Sequence, residues 1–105
     1  MKRIPKSRLE LHEIFCEILG TRNVYFQPPT SVKMSYPAIR YGRAKIQTNH
    51  ANNNNYIKHT RYEVTLISKD PDSEFIEDIL NLPLCGHDRS YQADNLNHDV
   101  FTIYV

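Results

Sequence analysis

The sequence predicts an α+β domain in which a mainly antiparallel sheet has two helices packed on one face, in the order α-β-β-β-α-β-β. Two segments place apolar residues at the spacing of an amphipathic helix, and five others have the alternation or the aromatic and β-branched residues of strands. Burying both helix stripes against one face of the sheet is the simplest arrangement of these elements. A length of 105 residues fits one domain, residues 1–105.

The first helix is expected from about Ser7 to Leu19. Ser7 and Glu10 have the spacing of a capping box, and Gly20 suits the left-handed residue that ends many helices. One apolar stripe follows the spacing i, i+3, i+4, i+7, i+8: Leu11, Ile14, Phe15, Ile18 and Leu19. A short strand over residues 23–27 should follow, and two prolines should end it.

A long antiparallel hairpin is expected in the middle of the chain. Its two arms, Pro37–Gln47 and Tyr56–Ser68, alternate between apolar and polar residues as half-buried strands do. The connecting residues Thr48–Asn55 read TNHANNNN. Their side chains compete with backbone hydrogen bonds and have nothing apolar to bury, which predicts a loop.

The remaining residues predict a second helix and two strands. The helix should begin after Asp70–Ser73 and end at about Leu82. The strands are expected at Asp88–Ala93 and Val100–Val105, joined by a polar turn over Asp94–Asp99. Because the last strand is apolar on both faces, it should be central in the sheet or covered by another subunit.

The sequence lacks the common catalytic and metal-binding motifs. The five histidines lack the spacing of metal ligands, and the acidic stretch from Asp70 to Asp78 lacks the strand-borne Glu-x-Lys that a nuclease-like site needs. Three glycines supply neither a phosphate-binding loop nor a nucleophile elbow. We therefore expect no enzyme, no cofactor and no bound metal.

The cysteines and the hydropathy pattern indicate a compartment. Cys16 and Cys85 have no ligand spacing and are expected to remain buried thiols, as in a reducing cytoplasm. No apolar run reaches the roughly 20 residues of a membrane span, and the first residues lack a signal-peptide core. No membrane partner is therefore expected.

Charge is unevenly distributed along the chain. Residues 1–62 carry 11 basic and three acidic side chains, a net +8, whereas residues 63–105 carry two basic and nine acidic ones, a net −7. If these charges are segregated on the surface, they suit a head-to-tail contact between copies of the chain, which closes into a ring or continues as a filament.

A small DNA-binding accessory protein is the alternative from a different class. Basic residues gather at the amino end and on the central hairpin, and the seven tyrosines offer stacking surfaces. The chain has no zinc finger, helix-turn-helix or RNP-like motif, and its net charge is only +1. Specific nucleic-acid binding is therefore not expected.

Four stretches resemble the small tail terminator, or tail completion, proteins of long-tailed phages and prophages of Gram-positive bacteria. They are residues 23–29 (NVYFQPP), 34–41 (MSYPAIRY), 62–73 (YEVTLISKDPDS) and 93–104 (ADNLNHDVFTIY). The resemblance covers most of the chain from Leu9 onward. It implies a small α/β domain without catalytic residues or cofactor, which forms a hexameric ring at the head-proximal end of the tail tube.

By the same resemblance, the ring stops growth of the tube and joins the tail to the head. Its partners would be its own copies, the major tail tube protein and the head–tail connector. The protein would be located in the virion tail and, during assembly, in the bacterial cytoplasm. A close alternative is another ring of the connector, such as a head-closure or adaptor protein.

The candidate contact residues combine this implication with the charge pattern. Basic residues of the hairpin are expected to face acidic residues of a neighbouring copy, and the polar loop is expected to contact a neighbour or the tube. The candidates are Arg40, Arg43, Lys45, Arg61, His50, Asn53, Glu74, Glu77 and Asp78.

Overall fold

A computed structural model describes residues 7–29, 32–50 and 56–105, with residues 45–50 and 56–59 described by their backbone. The chain folds in the predicted order α-β-β-β-α-β-β, which confirms the α+β class. The elements are α1 (Arg8–Leu19), β1 (Val24–Phe26), β2 (Ala38–His50), β3 (Tyr56–Ser68), α2 (Phe75–Leu80), β4 (Cys85–Ala93) and β5 (Leu96–Tyr104).

The five strands form one sheet in the order β1-β2-β3-β5-β4. All neighbouring strands are antiparallel except β1 and β2, which are parallel. β5 therefore lies between β3 and β4, which confirms the central position that its apolar sequence predicts.

Helix α1 has the ends that its sequence predicts. The Ser7 side chain accepts a hydrogen bond from the backbone N–H of Glu10 at 3.3 Å, and Gly20 has a φ of 71°. Gly20 donates its N–H to the carbonyl of Cys16 at 2.9 Å, so the last turn is closed by a residue whose backbone tolerates the left-handed conformation. No helix in residues 7–29, 32–50 and 56–105 is long and apolar enough to cross a membrane.

Both helices pack on one face of the sheet and share one hydrophobic core. Alternate residues of a strand face opposite sides, so the paired residues Tyr41, Val64 and Phe101 project to the same face. This face also buries Phe15 of α1 and Ile79 of α2. The buried members of the core are Leu11, Phe15, Cys16, Leu19, Val24, Ile39, Tyr41, Tyr62, Val64, Leu66, Ile79, Phe101 and Ile103.

The central hairpin is longer than predicted. β2 continues through Thr48, Asn49 and His50, which pair with residues 58, 57 and 56 of β3. The expectation that these three residues belong to a loop was wrong, because a continuing ladder satisfies their backbone groups and outweighs the weak strand preference of asparagine. The rest of that predicted loop, residues 51–55, lies outside the described residues.

The C-terminal hairpin has a much shorter turn than predicted. Asp94 and Asn95 alone form it, with φ values of 53° and 62°, and Leu96 to Asp99 already belong to β5. Two successive positive φ angles define the tight turn that matches the twist of paired strands, and Asp and Asn adopt them readily. The six-residue turn over Asp94–Asp99 was therefore a wrong prediction.

Two further boundaries differ from the expected ones. β4 begins at Cys85 instead of Asp88, because its first residues pair with β5 up to Ile103. α2 ends at Leu80 instead of Leu82. The sheet is thus larger, and the second helix shorter, than the sequence predicts.

Removing the Phe15 ring should destabilise the fold strongly. Phe15 is fully buried, and its ring meets Tyr41 edge-on with centroids 5.4 Å apart. Phe15→Ala should lower the free energy of unfolding by about 3–5 kcal/mol, because it removes buried contacts and leaves a cavity. Leu9→Ala on the same helix is the control, since the Leu9 side chain is 66% exposed and the change should cost little. Urea unfolding measures both, and equal losses in the two variants would contradict the packing described.

Candidate functional site

The sheet face opposite the helices carries a shallow depression of about 430 Å³, called here the open face. Its lining comes from the three central strands β2, β3 and β5 and from the edge strand β4. These strands bring together residues that are distant in sequence. Arg40, Thr65 and Val100 are successive partners across β2, β3 and β5, and Ile67 pairs with His98. The residues that line it are Arg40, Tyr41, Gly42, Arg43, Ala44, Glu63, Thr65, Ile67, Tyr91 and His98.

Polar and charged groups dominate the open face. Arg40 is exposed there. Arg43 is also exposed, but it pairs with buried Tyr62 and therefore projects to the face that carries the helices. The backbone N–H of Arg43 donates to the side-chain oxygen of Gln27 at 3.1 Å. The carboxylate of Glu63 lies 3.8 Å from the guanidinium of Arg89, both about half exposed. This pair roughly cancels, which leaves Arg40 as an exposed positive charge on the open face.

Two aromatic rings stack on the open face. Tyr91 and His98 occupy neighbouring positions on β4 and β5, with ring centroids 4.7 Å apart and planes inclined by 12°. Each ring therefore covers one face of the other, and that face is not available for a ligand.

The structure brings together only part of the predicted contact set. Arg40 lies on the open face, whereas Arg43 pairs with buried Tyr62 and projects to the other face. Arg61 is partly buried on β3 and pairs with Lys45. The side chains of Lys45 and His50 are not among those described, although His50 ends β2 at the far end of the ladder. Asn53 lies outside the described residues.

The three acidic candidates lie together at the start of α2. Glu74 is the N-cap residue and Glu77 and Asp78 belong to the first turn; all three side chains are exposed. Negative charge is favourable at this end of a helix. Glu74 makes no capping hydrogen bond, while the hydroxyl of Ser73 accepts one from the N–H of Phe75 at 3.3 Å.

The long hairpin extends beyond the strands that flank it. β1 ends opposite Tyr41, and the last backbone bonds from the β5 side join Val105 to Thr60. Four further pairs continue past both neighbours, from Gln47↔His59 to His50↔Tyr56. Among the described residues no strand flanks these four pairs, and we call them the arm.

A polar cluster at the N-terminal end of α1 was missed by the sequence analysis. The hydroxyl of buried Tyr41 lies 2.7 Å from Nδ1 of His12 and 3.5 Å from the guanidinium of Arg8. Arg8 also lies over the Phe26 ring, 4.2 Å from its centroid. Because Arg8 can only donate, the Tyr41 oxygen accepts a hydrogen bond from it. The Tyr41 hydroxyl can then donate its own hydrogen bond to Nδ1 of a neutral His12. The spacing of Arg8, His12 and Phe15 places them on one face of the helix. This spacing is the sequence signal that could have revealed the cluster.

The environment changes the acid–base behaviour of this cluster. Burial, and next the nearby positive charge of Arg8, lower the pKa of His12. Burial raises the pKa of Tyr41, although its hydrogen bond from Arg8 opposes the change. Both shifts favour the neutral forms that the hydrogen bond needs.

A second cluster joins His87, Ser90 and Asp99 across β4 and β5. The Ser90 hydroxyl donates to Oδ1 of Asp99 at 2.6 Å, and Nε2 of His87 lies 3.3 Å from the same oxygen and 3.2 Å from the hydroxyl. In a catalytic triad the histidine uses two different nitrogens to join the serine and the carboxylate. Here one nitrogen meets both groups, so the cluster satisfies the buried Asp99 carboxylate instead of activating Ser90.

The cysteines are free, as predicted. Cys16 is buried and receives a 3.7 Å contact from the guanidinium of Arg22. Cys85 is partly buried, and burial raises its pKa to about 11. In residues 7–29, 32–50 and 56–105 no group of three or more His, Cys, Asp or Glu side chains is arranged to hold a metal ion.

Comparison of the chain with models of protein families found no match, and comparison with curated proteins found none either.

Acidification should destabilise the fold through His12. Its pKa is lower in the folded protein than the usual value of about 6.5, so the unfolded chain binds the proton more readily. The contribution of neutral His12 is thus complete above about pH 6.5 and is lost as the pH falls towards its folded pKa. We expect His12→Gln to be less stable than the wild type above about pH 6.5 and to lose less stability on acidification.

Urea unfolding of both proteins on either side of this pH measures the difference. The proton NMR titration of His12 provides an independent check, and its midpoint should lie below about 6.5. A constant difference between the two proteins, with a normal titration midpoint, would contradict the buried hydrogen bond.

Proposed function

We propose that this chain is a tail terminator of a long-tailed phage or prophage. Copies of it form a ring, as a hexamer, at the head-proximal end of the tail tube, where the ring stops tube growth and mediates joining to the head. Its partners are its own copies, the major tail tube protein and the head–tail connector. The protein acts by surface contact, without a cofactor and without making or breaking a bond, in the virion tail and in the host cytoplasm during assembly.

The resemblance to terminator proteins involves residues that build the sheet. Residues 23–29 include β1, residues 34–41 lead into β2, residues 62–73 complete β3, and residues 93–104 span β5 and the turn before it. The shared pattern is therefore spread over four adjacent strands. Such a distribution fits a protein whose function depends on its shape more than on a local catalytic motif.

The arm is the observation that carries the proposal. A two-stranded ladder without flanking strands is marginally stable alone, because its outer backbone groups face water and it buries little apolar surface. Its two edges offer unpaired N–H and C=O groups to another chain. A projecting ladder is useful to a protein that contacts neighbours in a ring or a tube, where those edges become covered.

The surface charges also support assembly from copies. Arg40 lies on the open face, whereas Glu74, Glu77 and Asp78 lie at the start of α2, which packs on the other face of the sheet. The charge asymmetry along the sequence is thus partly an asymmetry between two sides of the fold. Opposite charges on two sides favour heterologous contacts, which generate rings.

Two alternatives make different predictions. Another ring of the head–tail connector would use the same kinds of contact at a different level of the virion. A DNA-binding accessory protein would use exposed basic residues such as Arg40 and Arg43 for phosphate contacts. The following experiment separates all three.

Deletion of the gene from its phage, with negative-stain imaging of the lysate, tests the assignment. Loss of a terminator should give tails much longer than normal and detached from heads, because nothing stops polymerisation of the tube. Wild-type protein supplied from a plasmid should restore normal length, and Leu9→Ala should restore it equally. A shortened hairpin, with residues 47–59 replaced by Asn-Gly, should fold but fail to restore it, since it lacks the arm.

The other outcomes assign the protein elsewhere. Headless tails of normal length would indicate a connector ring and contradict a terminator. Normal virions, together with binding to random DNA that weakens steeply with salt, would indicate the DNA-binding alternative.

A further inference from the structure

We infer that a small hollow beside the C-terminal hairpin binds a guanidinium group, the side-chain group of an arginine presented by another chain. The buried carboxylate of Asp99 is the group that receives it. This inference goes beyond the proposed function, because it assigns a binding site whose existence does not depend on the terminator role.

The hollow lies between the C-terminal hairpin and the loop that precedes α2. It has a volume of about 360 Å³, and Pro71 of the loop and residues of β4 and β5 line it. Asp99 pairs with Leu66 of the core, so its side chain projects to the face of the sheet that carries the helices. The carboxylate is therefore placed by the ladder of the sheet, on a rigid part of the fold.

Asp99 has one carboxylate oxygen that is not committed. The residue is only 8% exposed, yet it lines the hollow. Within the described residues its hydrogen bonds all reach Oδ1, which lies 2.6 Å from the Ser90 hydroxyl and 3.3 Å from Nε2 of His87. No buried side-chain oxygen of the described residues lacks a partner, so Oδ2 borders open space. This oxygen is free to accept a hydrogen bond from a ligand.

The negative charge of Asp99 is poorly compensated inside the chain. Among the described residues its ion-pair partner is His87, which is positive only when it is protonated. A buried carboxylate costs free energy unless a positive group pairs with it. Exposed Asp70 and Asp72 flank Pro71 and make the surroundings of the hollow more negative. A positive ligand is therefore attracted to the hollow and supplies the charge that Asp99 lacks.

The acceptors of the hollow suit a guanidinium better than a metal ion or an ammonium. Gln92, which also lines it, donates from Nε2 to Asn97 at 3.0 Å, so its own amide oxygen is a second acceptor. Over the described ranges no group of three or more His, Cys, Asp or Glu side chains is arranged to hold a metal. A guanidinium carries five N–H donors in one plane and is less strongly hydrated than an ammonium, so it can bond both acceptors at a lower desolvation cost.

Titration of the full chain with N-acetyl-arginine amide tests the site. At about pH 8 a histidine is ordinarily neutral, so the carboxylate keeps its full charge. NMR of the isotope-labelled protein follows the side-chain amides of Gln92 and Asn97, which should shift and saturate with a dissociation constant on the order of 1 mM. N-acetyl-citrulline amide has nearly the same shape without the charge and should bind at least roughly tenfold more weakly.

Three variants locate the binding. Asp99→Asn keeps an acceptor oxygen for Ser90 but removes the charge, and it should weaken binding of the arginine probe at least roughly tenfold. Gln92→Ala, at an exposed position that should not affect folding, should weaken it roughly threefold. Asp94→Asn is the matched control, because it removes one exposed charge outside the hollow and asparagine adopts the positive φ of that turn. It should bind like the wild type, and circular dichroism establishes that each variant is folded.

Sedimentation equilibrium distinguishes the two sources of the arginine. If the wild type self-associates, and this association is lost in Asp99→Asn but kept in Asp94→Asn, the arginine belongs to a second copy. A monomeric wild type that binds the probe assigns the arginine to a different protein. Both results support the site.

Other results would overturn the inference. They are an arginine probe that causes no saturable shift, equal binding of the arginine and citrulline probes, a folded Asp99→Asn that binds as tightly as the wild type, and an Asp94→Asn that loses as much binding as Asp99→Asn. The deletion experiment reports separately on the terminator role, because it measures tail length and not the binding of a probe.

Discussion

The attachment of α1 to the sheet through Tyr41 is the interaction on which the rest of the structure depends. The Tyr41 ring is 1% exposed and contacts the rings of Phe15, Phe26 and Tyr62, with centroids 5.4, 5.1 and 6.1 Å away. Its hydroxyl reaches the polar cluster formed by His12 and Arg8. One side chain thus joins a helix and three strands, and it satisfies its only polar group at the border of the core.

This attachment also decides which surfaces remain free. A chain of this size has one modest core, and both helices use the same face of the sheet to build it. In the described part of the chain no helix packs on the opposite face, so Arg40 can project from it without being buried. The separation of Arg40 from the acidic start of α2 is therefore a consequence of a core placed on one side of the sheet.

The sequence predicts those parts of the fold that depend on local periodicity. α1, the paired arms of the long hairpin and the interior position of β5 follow from apolar spacing and from caps, which act within one or two turns of the chain. The turn at Asp94 and Asn95 could not be placed, because a polar stretch fits a long turn and a tight one equally well. The length of β2 depends on its partner strand, which local preference does not describe.

The candidate site was only partly predictable for the same reason. Charge along the chain indicates that Arg40, Glu74 and Glu77 are exposed, but only the sheet order shows that they lie on different sides. The cluster of His87, Ser90 and Asp99 depends on the register between β4 and β5. A shift of one residue between these strands would turn the side chains of one strand to the other face and separate the cluster. His12 resembles a surface residue in sequence, and only the fold brings Tyr41 to it.

The register shift between Arg43 and Lys45 has a mechanical consequence for the arm. A bulge bends and twists its strand locally, and here it lies a few residues before the arm begins at Gln47. From Lys45 to His50 the strand rises about 17 Å, so a rotation of roughly 10° at the bulge displaces the far end by about 3 Å. A bend at the bulge therefore changes where the far end of the arm lies relative to the core of the same chain.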